Sequence, residues 1–337
     1  MTRLDDAGEV VAESAAECDG PRAVVMTSRE VPLGGVRAMA VFRALPQREL
    51  PLVGAWCFLD RFGPQRTRMR VEPHPHIGLQ TVTWPFVGEV RHRDTVGSDV
   101  MVRRGALNLM TSGAGIAHSE YSHGDDAVDL DALQLWVALP ESRRHGALAF
   151  ERHEDLPTLP LAAETGDDGE ATVVLGRLGD VASPASVYTP IVGAELHIPA
   201  GATVRIPLEA AWEHALIAVD GDASVHVSPA RIDGADTVAL DDKRMLYLGT
   251  RRDHVRVASA AGARLFLIGG APFEDEIVMW WNFIGRSHDE IEAYRAQWQG
   301  DVIDGGTATG RFGRVDGYDG APLPAPELPG VRLKPRE

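Results

Sequence analysis

His74 and His76 stand two residues apart, and so do His118 and Glu120. In a β-strand successive side chains point to opposite faces, so residues i and i+2 share one. Each pair can therefore aim two donors at one point. Three imidazoles and one carboxylate are a reasonable ligand set for a divalent metal, and in six-coordinate geometry they leave two positions open. Fe(II), Mn(II), Ni(II), Cu(II) and Zn(II) all accept such ligands, and affinity alone does not select among them. On a redox metal, adjacent open positions would let dioxygen and a chelating substrate meet. On a redox-inert metal the centre would be structural or a Lewis acid.

The chain must bring the two pairs together across the 44 residues from His74 to His118. That length suits about four short strands with turns, and a small antiparallel barrel can set such strands side by side with a shared interior. Gly113 and Gly115, just before His118, allow a tight turn there. Pro73 and Pro75 flank His74 and favour an extended edge strand or barrel mouth. Residues 79–86 alternate in the manner of a strand, and further short strands are expected over 90–94, 100–105, 107–110 and 133–139, separated by glycine turns. Gln80, four residues after His76, is expected to line the cavity or donate a hydrogen bond there. His92 alternates with charged residues and reads as solvent-facing, and His123 reads as a loop residue outside the metal set.

The formal charge is −16, which repels phosphate backbones and argues against direct nucleic-acid binding. Arg61, Arg66, Arg68 and Arg70 cluster just before the histidine pair; they read as a solvated edge or as a rim for an anionic ligand or an acidic partner. No apolar run is long enough for a membrane span and no signal peptide is visible. The two cysteines, Cys18 and Cys57, make no disulfide framework, which suits a cytoplasmic location, and Cys57 reads as a buried small hydrophobe.

The expected organisation is a flexible acidic tail over 1–22, a metal-binding barrel over 23–145, a connector over 146–185, a second barrel with a short helix over 186–300, and a Pro/Gly-rich tail over 301–337. Aligning the turn at Gly88 with that at Gly221 sets Pro207 where His74 stands and Glu209 where His76 stands. The second barrel is thus expected to resemble the first without its metal. Ser287-His-Asp-Glu290 is a capping box opening a helix through Ile291, Tyr294 and Trp298, ended by Gly300.

Phe58-Leu-Asp-Arg-Phe-Gly63, the run from His74 to Trp84, Gly88-Glu-Val-Arg-His-Arg-Asp94 and the run from Met110 to Glu120 resemble the pirin family of the cupin superfamily. The resemblance is dense over about 28–140 and looser to about 295. It implies an all-β chain of two facing cupin (double-stranded β-helix) barrels, with one divalent metal in the first, Fe(II) before Mn, Ni, Co, Cu or Zn. The family's ligands fall on His74, His76, His118 and Glu120. Two positions depart from the family: Ile77 replaces an arginine and Gln80 a glutamate, both expected at the cavity mouth or lining. The resemblance implies one of two functions. One is a quercetin 2,3-dioxygenase-type opening of a small aromatic chelating substrate by O2, with Glu120 as base. The other is a non-enzymatic, redox-sensitive regulator that binds a transcription factor or metabolic enzyme.

Overall fold

The computed structural model describes residues 20–33, 39–124, 126–230, 232, 235–305, 310–318 and 320–335. The expected acidic tail lies outside the described residues as far as position 19.

The chain folds into two antiparallel β-barrels, each made of a large and a small sheet. In the first, a seven-stranded sheet runs Ala149–His153, Leu107–Thr111, Leu79–Val87, Val128–Ala138, Trp56–Thr67, Met39–Leu45, Arg29–Leu33 in hydrogen-bonded order. Its small sheet runs Arg70–His76, Ile116–Ser122, Glu89–Asp94, Asp99–Arg103. The expected strands are all present, and Arg70–His76, which carries Pro73 and Pro75, is an edge strand, where proline's missing N–H breaks no central ladder.

The second barrel repeats the plan. Its large sheet includes Arg244–Gly249, Glu213–Asp220, Ala263–Gly270, Ile191–Ile198 and Gly169–Leu178. Its small sheet orders Ala202–Pro207, His254–Ser259, Ala223–His226 and Thr237–Leu240 as the first barrel orders its own four strands. Gly88 and Gly221 sit in matching turns at φ +82 and +71. The strand matching the histidine strand ends at Pro207, while Glu209 lies beyond it and is exposed. The facing positions are filled by Val204, Ile206, Val225, Val255 and Val257, which are part of a buried apolar core.

The two large sheets pack face to face. Trp56, Trp84, Leu133 and Leu135 from the first interdigitate with Leu175, Ile217, Phe266 and Ile268 from the second. Alternation explains this: Val82, Trp84 and Phe86, and likewise Leu133, Leu135 and Val137, recur at every second position and so share the face turned to the second barrel. Trp56 Nε1 lies 3.0 Å from the Val192 carbonyl and 3.1 Å from that of Gly269, so its buried indole N–H is satisfied across the interface.

Four boundaries differ from the sequence reading. Strand Pro21–Thr27 pairs with Arg244–Gly249 and so completes the second barrel, not the first. The expected connector 146–185 carries strands: Ala149–His153 joins the first barrel, while Thr158–Leu161, Ala163–Thr165 and Gly169–Leu178 join the second. The helix His288–Trp298 packs on the first barrel, through Ile77 and Ala117, and not on the second. Gly300 does not stop it, because a π-helical turn continues through Gln299–Ile303. The cap itself is as expected, with Ser287 accepting from the Glu290 N–H at 3.2 Å, but the Glu290 carboxylate accepts from Arg286 N, one residue before the usual partner.

The proline-rich tail is extended and lies along this helix and the edge strand. Leu323 N donates to Pro73 O at 2.8 Å, and Trp298 Nε1 donates to Leu323 O at 2.8 Å. Phe312 stands edge-on to Trp298 with ring centroids 5.4 Å apart. Among the described residues no helix is long and apolar enough to cross a membrane.

Candidate metal centre

Cross-strand register makes the site. His74 and His118 are directly opposed on neighbouring antiparallel strands, and His76 faces Ile116 two pairs further on. Between them the edge strand holds one extra residue: His118 pairs with His74, but Glu120 pairs with Val71. This β-bulge reverses the alternation, so that His74 and His76 point inward while Arg70 points outward. Gly113 and Gly115, at φ +44 and +145, turn the chain into the His118 strand as expected.

His74, His76 and His118 place one ring nitrogen each within 4.8 Å of the others, and all three side chains are buried. Glu120 is buried in the same interior but falls in a second group of the same span, with His92 and His118. His118 thus belongs to both groups.

His92 corrects the solvent-facing expectation: it is 4% exposed. The parity of its strand explains why. Val90, His92 and Asp94 are buried on one side, and Arg91 and Arg93 lie on the other. The charges flanking His92 mark the outer face, so His92 must be on the inner one. Its ring stacks on Phe150 at 4.8 Å.

Hydrogen bonds then set the ring tautomers of His92, His118 and His74. His92 Nε2 is 3.0 Å from Asp94 Oδ2, so it donates to the carboxylate. With a single proton on the His92 ring, its Nδ1 accepts from His118 Nδ1, 3.2 Å away. His118 Nε2 is therefore a bare lone pair, and it lies 3.1 Å from His76 Nε2. His74 Nδ1 donates to Glu72 O at 2.9 Å, which leaves its Nε2 bare as well. Burial lowers the pKa of all three, His74 to about 4, and neighbouring imidazoles add to the effect for His76 and His118. The three rings are thus held neutral, and the Nε2 lone pairs of His74 and His118 are left bare, which is the state a metal needs from imidazole. The donor set fits a divalent ion.

Glu120 is in the opposite electrostatic position. Burial raises its pKa, against the pull of His92 and of a 2.9 Å hydrogen bond from Thr83 Oγ1 to Oε1. Thr83 Oγ1 is also 2.9 Å from Gln134 Oε1. Asn108, opposite Thr83 in the ladder, is buried, and its Oδ1 accepts no hydrogen bond among the described residues. Phe58 stacks on Trp136 at 4.0 Å, and Trp136 meets His76 edge-on at 5.1 Å. Asp94, Thr83, Asn108, Gln134 and Trp136 were not singled out from sequence; the period-2 pattern read from the inward histidines would have found them.

Ile77 and Gln80 are not where they were expected. Ile77 follows His76 and so points the other way, into the apolar cluster with Phe283, Trp298 and Phe312. Gln80 sits beyond Gly78, at φ +76, which breaks the strand and the count of faces. Gln80 lies on the face with Val82 and Trp84 and bonds Thr111 Oγ1 at 2.9 Å and Ser186 O at 3.1 Å. The expected basic rim also divides. Arg61 is buried in an ion pair with Asp131 at 3.0 Å, and Arg66 is exposed. Cys57 is buried, as expected.

The sequence matches the Pirin family over residues 36–137 and the Pirin C-terminal cupin domain over 193–303. A Pseudomonas aeruginosa protein named provisionally as a quercetin 2,3-dioxygenase is 39% identical over 309 residues, which cover 90% of each chain. A pirin-like protein of Caulobacter vibrioides is 31% identical, over 90% of this chain and 99% of its own. The crystal structure of a quercetin 2,3-dioxygenase from Acinetobacter baumannii superposes with a TM-score of 0.81 at 36% identity, over 93% of this chain and 98% of that one. A bacterial pirin of Escherichia coli, solved in complex with nickel(II), shares the fold at a TM-score of 0.54 and 16% identity, over 74% of this chain and all (100%) of that one. The two-barrel architecture, the ordered motifs and these matches converge: the chain belongs to the pirin family of cupin proteins.

Proposed function

We propose that the protein is a metal-dependent dioxygenase that opens the ring of a flavonol-like chelating substrate, with His74, His76, His118 and Glu120 holding one divalent ion, Fe(II) before Mn, Ni, Co, Cu or Zn. The observation that carries this reading is the convergence of three buried, neutral imidazoles beside a buried carboxylate. The similarity to quercetin 2,3-dioxygenases along nearly the whole chain supports the substrate class. When bound, the metal supplies a Lewis-acid site and, if redox-active, one-electron chemistry with dioxygen.

The residues of the chain do the rest. Glu120 accepts the proton of the substrate's chelating hydroxyl at a carboxylate oxygen; burial makes it a better base than an ordinary glutamate. Thr83 fixes one Glu120 oxygen and leaves the other to the ligand or the proton. Asp94 and His92 hold the His118 ring in the tautomer that keeps its Nε2 bare. Asn108 Oδ1 offers a buried acceptor to a second substrate hydroxyl. Trp136 and Phe58 present flat apolar surface next to His76, suited to an aromatic ring.

Protein loaded anaerobically with Fe(II) should consume oxygen and release carbon monoxide when quercetin is added in air-saturated buffer. No oxygen uptake with Fe, Mn, Ni, Co or Cu, in protein that retains the metal, would overturn the dioxygenase reading.

A further inference from the structure

The small sheet of the first barrel has two faces, and the outer one is as specialised as the inner. Opposite the imidazoles, Arg70 pairs across the strands with Tyr121, and Tyr121 with Arg91; Ser119 pairs with Arg93. These guanidinium groups and that of Arg68 line one cavity of about 420 Å³, with Ser122 and Tyr121 also contributing. No carboxylate among the described residues lines it.

Two carboxylates stand beside the cavity and organise it. Asp99 takes two hydrogen bonds from Arg91, both 2.7 Å, and lies 3.6 Å from Arg93. Glu72 lies 3.2 Å from Arg70. Arg70 also lies flat over the Tyr121 ring at 4.6 Å. Arg70, Arg91 and Arg93 are therefore held in place, and two of them are largely out of water: the Arg93 and Arg70 side chains are 12% and 16% exposed. The tail forms part of the wall, since Gly317 closes over Arg93 and Gly320 lies against Glu72.

Four guanidinium groups converge on one cavity, with two neighbouring carboxylates between them, in a chain of net charge −16. Solubility or barrel packing gives no reason for that arrangement. Guanidinium forks match the paired oxygens of phosphate and carboxylate, and pre-ordered forks lose little freedom on binding. The cavity is larger than a single phosphate requires.

We propose that this cavity is a binding site for a small polyanion of the phosphate-ester class, set on the back of the metal-bearing sheet and separate from the metal centre. Arg93 and Arg70 supply the enclosed contacts, Arg91 and Arg68 close the open side, and the tail segment at Gly317 shapes the wall. The site does not depend on the dioxygenase reading.

Titration calorimetry of the metal-loaded, full-length protein with inorganic pyrophosphate tests it. Binding should saturate at one per chain and weaken as sodium chloride is raised. Arg93→Ala should weaken it by about tenfold or more, the loss expected when a charge-assisted hydrogen-bond donor is removed. Arg91→Gln, at a side chain 43% exposed, should weaken it without lowering the melting temperature, so it decides the matter if Arg93→Ala does not fold. His118→Ala should bind pyrophosphate as the wild type does. Absence of saturable binding, unchanged affinity in Arg91→Gln, or loss of binding in His118→Ala, which would put the anion on the metal, overturns the proposal.

Discussion

At the scale of single residues, protonation decides what the site can do. His74 keeps a pKa of about 4, against 6.5 for an ordinary histidine. Its folded value is lower than its unfolded one, so between those pH values the unfolded chain binds more protons, and stability falls as the pH drops through that window. In metal-free protein His74 should account for about 3 kcal/mol of that loss. Replacement by glutamine removes the titration, so the stability of His74→Gln relative to wild type should rise by about that amount between pH 7 and pH 4. Denaturant melts at the two pH values check this, and a difference independent of pH would show that His74 is not held neutral by burial. Glu120 runs the other way: burial raises its pKa, so in metal-free protein the folded chain holds this proton longer than the unfolded one, and stability falls as the pH rises from the ordinary carboxylate range through the raised value. The four inward residues His74, His76, His118 and Glu120 were legible from spacing, because i and i+2 share a strand face. Ile77 and His92 were misplaced although the same rule covers them: His92 was judged by the charge of its neighbours and Ile77 by the position its counterpart holds in the family, instead of by parity with the inward histidines.

At the scale of elements, the bulge in the Arg70–His76 strand and the strap at the C-terminus position the site. No spacing in the sequence reveals a bulge, since one inserted residue changes neither composition nor strand propensity, yet it decides that Arg70 and His74 lie on opposite faces. The positions of the first barrel's strands, by contrast, followed from turn glycines and alternation, while their order in the sheets did not. The helix His288–Trp298 and the tail cover the outer side of that strand with Trp298 fully buried against Phe312 and Ile77. Trp298→Ala should cost about 3–5 kcal/mol, the usual loss for a large aromatic truncated in a core. It also breaks the hydrogen bond to Leu323 O that holds the tail on the edge strand. Chemical denaturation reads the cost, and a loss of under about 1 kcal/mol, typical of a surface substitution, would mean the strap does not support the barrel.

At the scale of the whole molecule, the barrels are interlocked at both chain ends. The first described strand completes the second barrel, and the last helix closes on the first. Sequence composition hid this exchange, because long-range pairing leaves no local mark: Pro21–Thr27 reads like any short strand. Together with the apolar interface between the large sheets, the exchange should make unfolding cooperative. Metal-free protein should melt in a single calorimetric transition, and Trp56→Phe, which removes the indole hydrogen bonds to Val192 and Gly269, should lower that transition as a whole. Two separate transitions would contradict the interlock. The asymmetry of function follows from the two interiors: matching strands carry imidazoles in one barrel and valines in the other. His214, buried in the second barrel with a pKa lowered to about 4, serves as the internal control. Metal analysis of purified protein by mass spectrometry is the most direct test of the whole account. It should find one divalent ion per chain in the wild type and in His214→Ala, and most of it lost in folded His118→Ala; unchanged metal in His118→Ala would show that the proposed centre is not where the metal binds.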